Sequence, residues 1–236
     1  MSKLAVVIPV RNEVAALPHV ITSLIQTLDG LDYRIIIIDD GDDNMPEVIG
    51  KMHISSLTFV RRNVGERNGL AGAVIAGFAL AADSTYVATM DGDGQHPPEI
   101  IRRMTNKAVN DRSDMIMASR YISGGSTGGL DGKFRKFYSS FLRMLPRVFF
   151  PKKVGAVTDP LSGCFLIKTE CLHLDSLKPI GWKIGLEVLL SSSINRYGEI
   201  GYEFQERVGG ESKADFKIGL DYFRQLASLV VRFYFS

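Results

Sequence analysis

Short apolar runs alternate with longer amphipathic stretches along the first half of the chain. The runs have the length and β-branched content of buried strands and lie at 4–8, 33–38, 57–61, 85–90 and 114–119. The stretches between them have helical periodicity and lie near 14–28, 44–52, 67–82 and 98–110. Strands that are apolar on both faces and separated by helices predict one α/β domain. Its central sheet is expected to be mostly parallel and flanked by helices, as in Rossmann-like folds.

The alternation stops at a Gly- and Ser-rich segment, residues 123–132. The segment that follows, 133–153, holds seven Lys or Arg residues and no Asp or Glu, and aromatic residues lie between the cations. Pro146 predicts a break within it, because proline lacks the N–H that a helix needs. This pattern predicts basic amphipathic helices that lie on a membrane surface, with a core-packing helix as the alternative.

The last stretch, 214–236, also has two faces at helical spacing. Its predicted apolar face consists of Phe216, Leu220, Phe223, Ala227, Val230 and Tyr234. Its predicted polar face consists of Lys217, Asp221, Arg224, Ser228 and Arg232. We therefore expect a domain over 1–213 followed by an amphipathic interface helix over 214–236, for which core packing is again the alternative.

Composition narrows the choice of partners and compartment. With 236 residues, of which 45% are hydrophobic, the chain suits one substantial core. A net charge of +2 is too small for bulk nucleic-acid binding, so we expect no nucleic-acid partner. Two cysteines, Cys164 and Cys171, and the lack of a charged-then-apolar leader favour a reducing, cytosolic setting.

Two carboxylates and an amide follow the fourth predicted strand. Asp91, Asp93 and Gln95 come directly after the apolar run that ends at Met90. In open α/β folds the carboxyl ends of the strands are where ligands bind. Oxygen ligands suit Mg²⁺ or Mn²⁺, which complete their coordination with water and substrate phosphates. The sequence therefore predicts a metal site bridged by a phosphorylated substrate.

Polar residues also follow the first two predicted strands. Pro9, Arg11 and Glu13 lie at the end of the first, and Asp39 and Asp40 at the end of the second. Carboxylates there suit ribose hydroxyls and base N–H groups, so a nucleotide is expected at this rim. An acidic turn or helix cap is the alternative for each residue taken alone.

Other phosphate- and metal-binding loops do not fit the sequence. Residues 65–72 lack the G-x-G-x-x-G spacing of a dinucleotide loop, and Thr127 stands where a P-loop before Gly132-Lys133 needs its first glycine. An EF-hand beginning at Asp91 requires Glu at its twelfth position, where this chain has Arg102.

Eight segments together are similar to one family. They are IPVRNE (8–13), IDDGDDN (38–44), RNGLAGAVIAGF (67–78), MDGDGQHPPE (90–99), ASRY (118–121), TDPLSGCF (158–165), GWKIGLEVL (181–189) and FQERVGGESK (204–213). The chain resembles the dolichol-phosphate mannose synthases and their polyprenol-phosphate relatives, which are inverting transferases of glycosyltransferase family 2 with the GT-A fold. One departure is that Gly92 and Gly94 stand where the family commonly has Ala or Leu.

The resemblance implies a role for each matching residue. The implied metal ligands are Asp91, Asp93 and Gln95. The implied nucleotide-sugar contacts are Pro9, Arg11, Glu13, Asp39, Asp40, Arg67, Asp91, Gly92, Arg207 and Lys213. The implied acceptor-phosphate contacts are Arg120, Arg135 and Ser139. The implied catalytic residues are Asp91, Asp93, Arg120 and Arg135.

The resemblance also implies the reaction: transfer of a hexose, with mannose from GDP-mannose favoured, to dolichyl or polyprenyl phosphate, assisted by Mg²⁺ or Mn²⁺. UDP-glucose or another nucleotide sugar is the alternative donor. A non-catalytic nucleotide-binding module on membranes is the alternative class. The expected location is the cytoplasmic face of a membrane, peripheral or anchored if the natural chain continues beyond Ser236.

Overall fold

The sheet lies at the centre of the molecule, with helices on both faces. This computed structural model describes residues 3–126, 133–205 and 216–235, with side chains for all of these except 133–140 and 216–218. The strands are β1 Leu4–Val10, β2 Tyr33–Asp39, β3 Leu57–Arg61, β4 Tyr86–Thr89, β5 Met115–Ser119, β6 Phe165–Lys168 and β7 Tyr197–Gly201. The helices are α1 Leu17–Leu28, α2 Met45–Met52, α3 Gly69–Leu80, α4 Glu99–Asp111, α5 Lys133–Phe149, α6 Pro151–Val154, α7 Ile184–Ser191 and α8 Phe216–Phe235.

The described strands form one sheet in the order β3-β2-β1-β4-β6-β5-β7. All neighbouring pairs are parallel except those of β6, which runs antiparallel to both β4 and β5. The predicted α/β class with a mostly parallel sheet is therefore confirmed. The carboxyl ends of β1, β2, β4 and β5 consequently meet at one edge, where Asp39, Asp40, Asp91, Asp93 and Arg120 lie.

Two hydrophobic clusters cover the two faces of the sheet, because successive strand side chains point to opposite sides. On one face, α1, α2 and α4 pack on alternate residues such as Val6 and Ile35. On the other, α3, α7 and α8 pack on their neighbours, such as Val7 and Ile36. Every residue of β1 is buried, which is the pattern of a central strand covered on both faces.

The predicted break at Pro146 is wrong. Helix α5 runs from Lys133 through Pro146 to Phe149. The helical backbone is interrupted only at the next residue, before α6 begins. Pro146 lacks the N–H that would bond the carbonyl of Leu142 four residues earlier. The buried hydroxyl of Tyr222 on α8 donates a 2.8 Å hydrogen bond to that carbonyl instead. Because the carbonyl has a partner, the helix tolerates the proline.

Helix α8 uses a different face for the core than the predicted apolar face. Tyr222, Leu226 and Leu229 are buried in the core cluster. Leu220 and Phe223 of the predicted apolar face are exposed, although their spacing is helical. The helix thus has two apolar faces, one in the core and one at the surface. Among the residues that the structure describes, no helix combines the length and apolarity needed to cross a membrane.

Candidate functional site

The acidic turn after β4 is built on one buried and one accessible carboxylate. The Oδ1 atom of Asp93 accepts a 3.0 Å bond from the backbone N–H of Gln95, and Asp93 is buried. The side chain of Asp91 is 35% exposed. The buried ring of His96 packs against Tyr202 and accepts a bond through Nδ1 from the Asp91 backbone N–H. His96 therefore supports the turn from the protein interior, whereas the side chain of Asp91 is partly exposed to solvent.

Gly92 is required by close packing of the acidic turn on β1. A Cβ atom at this position would lie 2.6 Å from Cγ1 of Val10 and 3.2 Å from a methyl group of Ile8. Alanine would therefore displace the turn or the strand, which explains why this chain has glycine where the resembled family commonly has a larger residue. The turn therefore packs closely against the side chains at the end of β1.

The two aspartates at the end of β2 are both paired with arginines from the end of β3. Asp39 is fully buried and accepts bonds from Nε of Arg61 at 2.8 Å and from the Gly41 backbone N–H at 2.7 Å. Arg62 binds both carboxylate oxygens of Asp40, at 2.7 and 2.5 Å. These pairs fix the rim, and the nucleotide contacts of Asp39 and Asp40 stay predictions.

Four other predicted nucleotide contacts lie around the same rim. Pro9 is buried within β1, Arg11 is exposed just beyond the strand, and Glu13 is partly exposed. Arg67 donates to a carboxylate oxygen of Asp42 at 2.7 Å and to the carbonyl of Gly41 at 3.1 Å. The pKa of Asp42 is lowered, chiefly by its hydrogen bond from Arg67. The loops after β2 and β3 are thus joined by hydrogen bonds.

Arg120, at the end of β5, is held by a buried carboxylate that the sequence interpretation did not single out. Its Nε and Nη2 atoms donate to the two oxygens of Asp159 at 2.8 and 3.0 Å, and Asp159 is fully buried. Burial alone would lower the pKa of the guanidinium, but the charge and the hydrogen bonds of Asp159, together with nearby tyrosines, raise that pKa overall. Such a bidentate pair holds the arginine in one orientation.

Helix α5 and strand β7 hold the segment that carries Asp159. Arg143 donates to the carbonyl of Thr158 at 2.9 Å, and Arg147 donates to the carbonyl of Val157 at 2.8 Å. Glu199 accepts from the backbone N–H of Thr158 at 2.9 Å. These two arginines of the basic segment therefore face the protein, whereas the sequence pattern assigned them to the membrane surface.

Lys183 is a second residue that the sequence interpretation missed. It precedes α7 and interacts electrostatically with Arg120, Asp159 and Asp91. Burial lowers the pKa of its ammonium group, and the positive charge of Arg120 lowers it further, against the opposing effect of the two carboxylates. The backbone two residues after Lys183 packs on the segment that borders the Asp91 carboxylate, so the loop that carries this lysine lies beside the acidic turn. Only the GWK motif in the sequence could have drawn attention to it.

Four predicted phosphate ligands cannot be located as side chains. Arg135 and Ser139 lie within α5, where their side chains are not described, and Arg207 and Lys213 lie outside the described residues. Gln95 donates through Nε2 to the carbonyl of Gln205 at 3.3 Å. Within the described ranges, no group of three or more His, Cys, Asp or Glu residues could hold a metal ion. A cation here would need ligands beyond the two aspartates.

Comparison with known sequences points to one family. The profile described as "Glycosyl transferase family 2" matches residues 5–169. A protein named dolichol-phosphate mannosyltransferase from Pyrococcus furiosus is 34% identical over 229 residues, which cover 97% of this chain and 64% of that protein. One of the same name from Mycosarcoma maydis is 31% identical, covering 83% of this chain and 66% of its own length. The chain thus spans about two thirds of the length of these relatives.

Comparison with solved structures finds the same fold. Glucosyl-3-phosphoglycerate synthase from Mycobacterium tuberculosis, in complex with Mn²⁺, UDP and glucosyl-3-phosphoglycerate, superposes with a TM-score of 0.70 at 19% identity, covering 98% of this chain and 79% of that one. A structure of that enzyme with Mg²⁺ and UDP gives 0.68 at 20% identity, with the same coverage. These structures belong to an enzyme that holds a divalent metal together with a nucleotide.

Proposed function

The chain belongs to glycosyl transferase family 2, and from this membership and the geometry of the site we propose that it moves a hexose from a nucleotide sugar to a polyprenyl lipid phosphate. Mannose, GDP-mannose and dolichyl phosphate are the favoured sugar, donor and acceptor, because the relatives are named for that reaction. The observation that carries the proposal is that the acidic turn at Asp91 follows β4 and the guanidinium of Arg120, held by Asp159, follows β5 at the same edge of the sheet.

The acidic turn fits a divalent cation that bridges to the donor. Asp91 is accessible, and Gly163 lies beside its carboxylate, where a Cβ atom would be in van der Waals contact at 3.6 Å. Asp93 and the amide oxygen of Gln95 complete the proposed oxygen ligands, with phosphates of the donor supplying others. When bound, Mg²⁺ or Mn²⁺ would neutralise charge on the diphosphate leaving group.

The cations at the end of β5 suit a phosphate acceptor. A phosphate monoester has a second pKa of about 6, so much of it is already a dianion at neutral pH and can attack without a general base. Its approach to an anionic donor requires positive charge nearby. Arg120 is held in one orientation by Asp159, and Lys183 interacts electrostatically with both. We assign Arg120 to the acceptor phosphate and Lys183 to the donor diphosphate.

A membrane surface is the proposed place of the reaction. Helix α5 turns Phe141, Met144 and Val148 outward, with 44, 53 and 65% exposure, while Arg143 and Arg147 face the protein. Exposed apolar residues at positions i, i+3 and i+7 form a continuous stripe on a helix. On α8, Leu220 and Phe223 are likewise exposed. We propose that these surfaces enter the lipid headgroup region on the cytoplasmic face of a membrane.

Transfer of label from donor to lipid tests the proposal. The protein would be incubated with dolichyl phosphate in liposomes, Mn²⁺ or Mg²⁺, and radiolabelled GDP-mannose or UDP-glucose in parallel. We expect labelled lipid, more from GDP-mannose, and none without divalent metal. Labelled lipid formed only from UDP-glucose would show that UDP-glucose, and not GDP-mannose, is the donor. Nucleotide-sugar binding without any product would contradict transfer and favour a non-catalytic binding module.

A further inference from the structure

Helix α8 touches the backbone of the loop that carries Lys183. The side chain of Gln225 is fully buried, and its Nε2 donates a 3.1 Å hydrogen bond to the carbonyl of Lys183. Two residues earlier, Gly181 has a φ of +69°, and a Cβ atom there would lie 3.1 Å from Oε1 of Gln225. The loop and the helix are therefore in direct contact at the base of the proposed site.

A second contact fixes the same segment at the other end. Arg232 of α8 binds the buried carboxylate of Glu187 on α7 at 2.6 Å and the carbonyl of Ser176 at 3.0 Å. The same oxygen of Glu187 accepts from the backbone N–H of Lys178 at 3.1 Å. Helix α8 thus holds the chain both before and after Lys183, so that the backbone at this lysine has a defined place.

This contact region keeps polar groups where apolar ones would be more stable. Oε1 of Gln225, Oε2 of Glu187 and Nε of Arg232 are buried and have no hydrogen-bond partner among the described residues. Burying such atoms without partners costs free energy that a leucine would avoid. Proteins retain departures of this kind mainly where function requires them. The presence of Gln225 at this buried position therefore indicates a functional role in addition to packing.

We propose that Gln225 is a positioning residue that acts through the backbone of Lys183 to set where the Lys183 amine meets the donor diphosphate. Affinity for the nucleotide sugar then depends on α8, a helix whose other face is exposed and apolar. This inference rests on the proposed function, because it assumes that Lys183 binds the donor. We assign Gln225 no contact with donor or acceptor, because its side chain is fully buried and its hydrogen bond is to a main-chain carbonyl.

A double-mutant cycle on donor binding tests this role. Gln225→Met removes the hydrogen bond to the Lys183 carbonyl at nearly constant side-chain volume, and Lys183→Met removes the amine. Leu226→Met is the control for altered packing on the same helix. The dissociation constant of GDP-mannose, and in parallel of UDP-glucose, would be measured by calorimetry with Mn²⁺. Folding of each variant would be checked by thermal melting.

We expect Lys183→Met to weaken binding about tenfold or more, as for loss of a charge-assisted contact. Gln225→Met should weaken it about fivefold in the wild-type background and hardly at all beside Lys183→Met, because coupled residues are not additive. Equal weakening in both backgrounds, or an equal effect of Leu226→Met, would overturn the inference. Binding of the nucleotide sugar without transfer would overturn the proposed function, but the coupling between Gln225 and Lys183 could still be measured from the dissociation constants. Binding of neither donor would overturn both.

Discussion

The Tyr222 hydroxyl donates a 2.8 Å hydrogen bond to the backbone carbonyl of Leu142, joining α8 to α5. The bond lies where Pro146 leaves that carbonyl without its usual partner. Residues about 80 positions apart in the chain are therefore matched to each other. As a consequence, the two helices that present exposed apolar faces are joined by a buried polar contact, and we expect them to move as one unit.

Loss of this hydroxyl should be costly only while Pro146 is present. Tyr222→Phe leaves a buried carbonyl without a partner, for which we expect a loss of about 1–3 kcal/mol in the free energy of unfolding. In a Pro146→Ala background the restored N–H can bond the carbonyl, so the same change should be much milder. Urea denaturation of the four proteins measures the coupling. Equal losses in both backgrounds would show that the hydroxyl has no special relation to the proline.

Removing the charge of Asp159 should destabilise the protein and impair transfer together. Asp159→Asn leaves the guanidinium of Arg120 buried without its counter-charge, which typically costs about 3–5 kcal/mol. The matched control is Asp111→Asn, which breaks an exposed pair with Lys107 and should change stability by less than about 0.5 kcal/mol. Chemical denaturation measures the free energy of unfolding of both variants, and transfer of label from donor to lipid measures their activity. A variant at residue 159 as stable as the control would contradict the pairing.

Replacing the outward stripe of α5 should release the protein from lipid without affecting the donor site. For Phe141→Ser combined with Val148→Ser we expect weaker flotation with anionic liposomes and an unchanged affinity for nucleotide sugar. Val64→Ser is the control, because Val64 is a well-exposed apolar residue of the loop between β3 and α3. Flotation that is equally strong for the double variant and the control would refute the membrane-facing role.

The first five strands and four helices could be predicted because each is a regular apolar or amphipathic segment. Of the later elements, α5 and α8 were also expected as helices, whereas β6, β7 and α7 were missed for physical reasons. Strand β6 has only four residues and runs antiparallel between β4 and β5. Strand β7 contains Gly198 and Gly201, which weaken its pattern, and α7 is apolar on nearly all sides, so it lacks a helical period.

The candidate site was predictable where ligands follow strands closely and hidden where the fold brings distant segments together. Asp91 and Asp93 come directly after a buried strand, so their place at the edge of the sheet follows from the sequence. Asp159 and Lys183 lie in the loops before and after β6, far from Arg120 in the chain, and only the folded arrangement of these loops brings them towards it. The inward direction of Arg143 and Arg147 was equally hidden, because a charge run alone does not show which face is covered.

The most direct measurement of the central claim is the rate at which labelled mannose passes from GDP-mannose to dolichyl phosphate when the acidic turn is altered. We predict that Asp91→Asn and Asp93→Asn each lower kcat/KM by about 10²-fold or more, as for loss of electrostatic stabilisation of a leaving group. Asp83→Asn, at an exposed carboxylate just before β4, should leave the rate near that of the wild type. Transfer at the normal rate by a folded variant lacking both Asp91 and Asp93 would contradict the account.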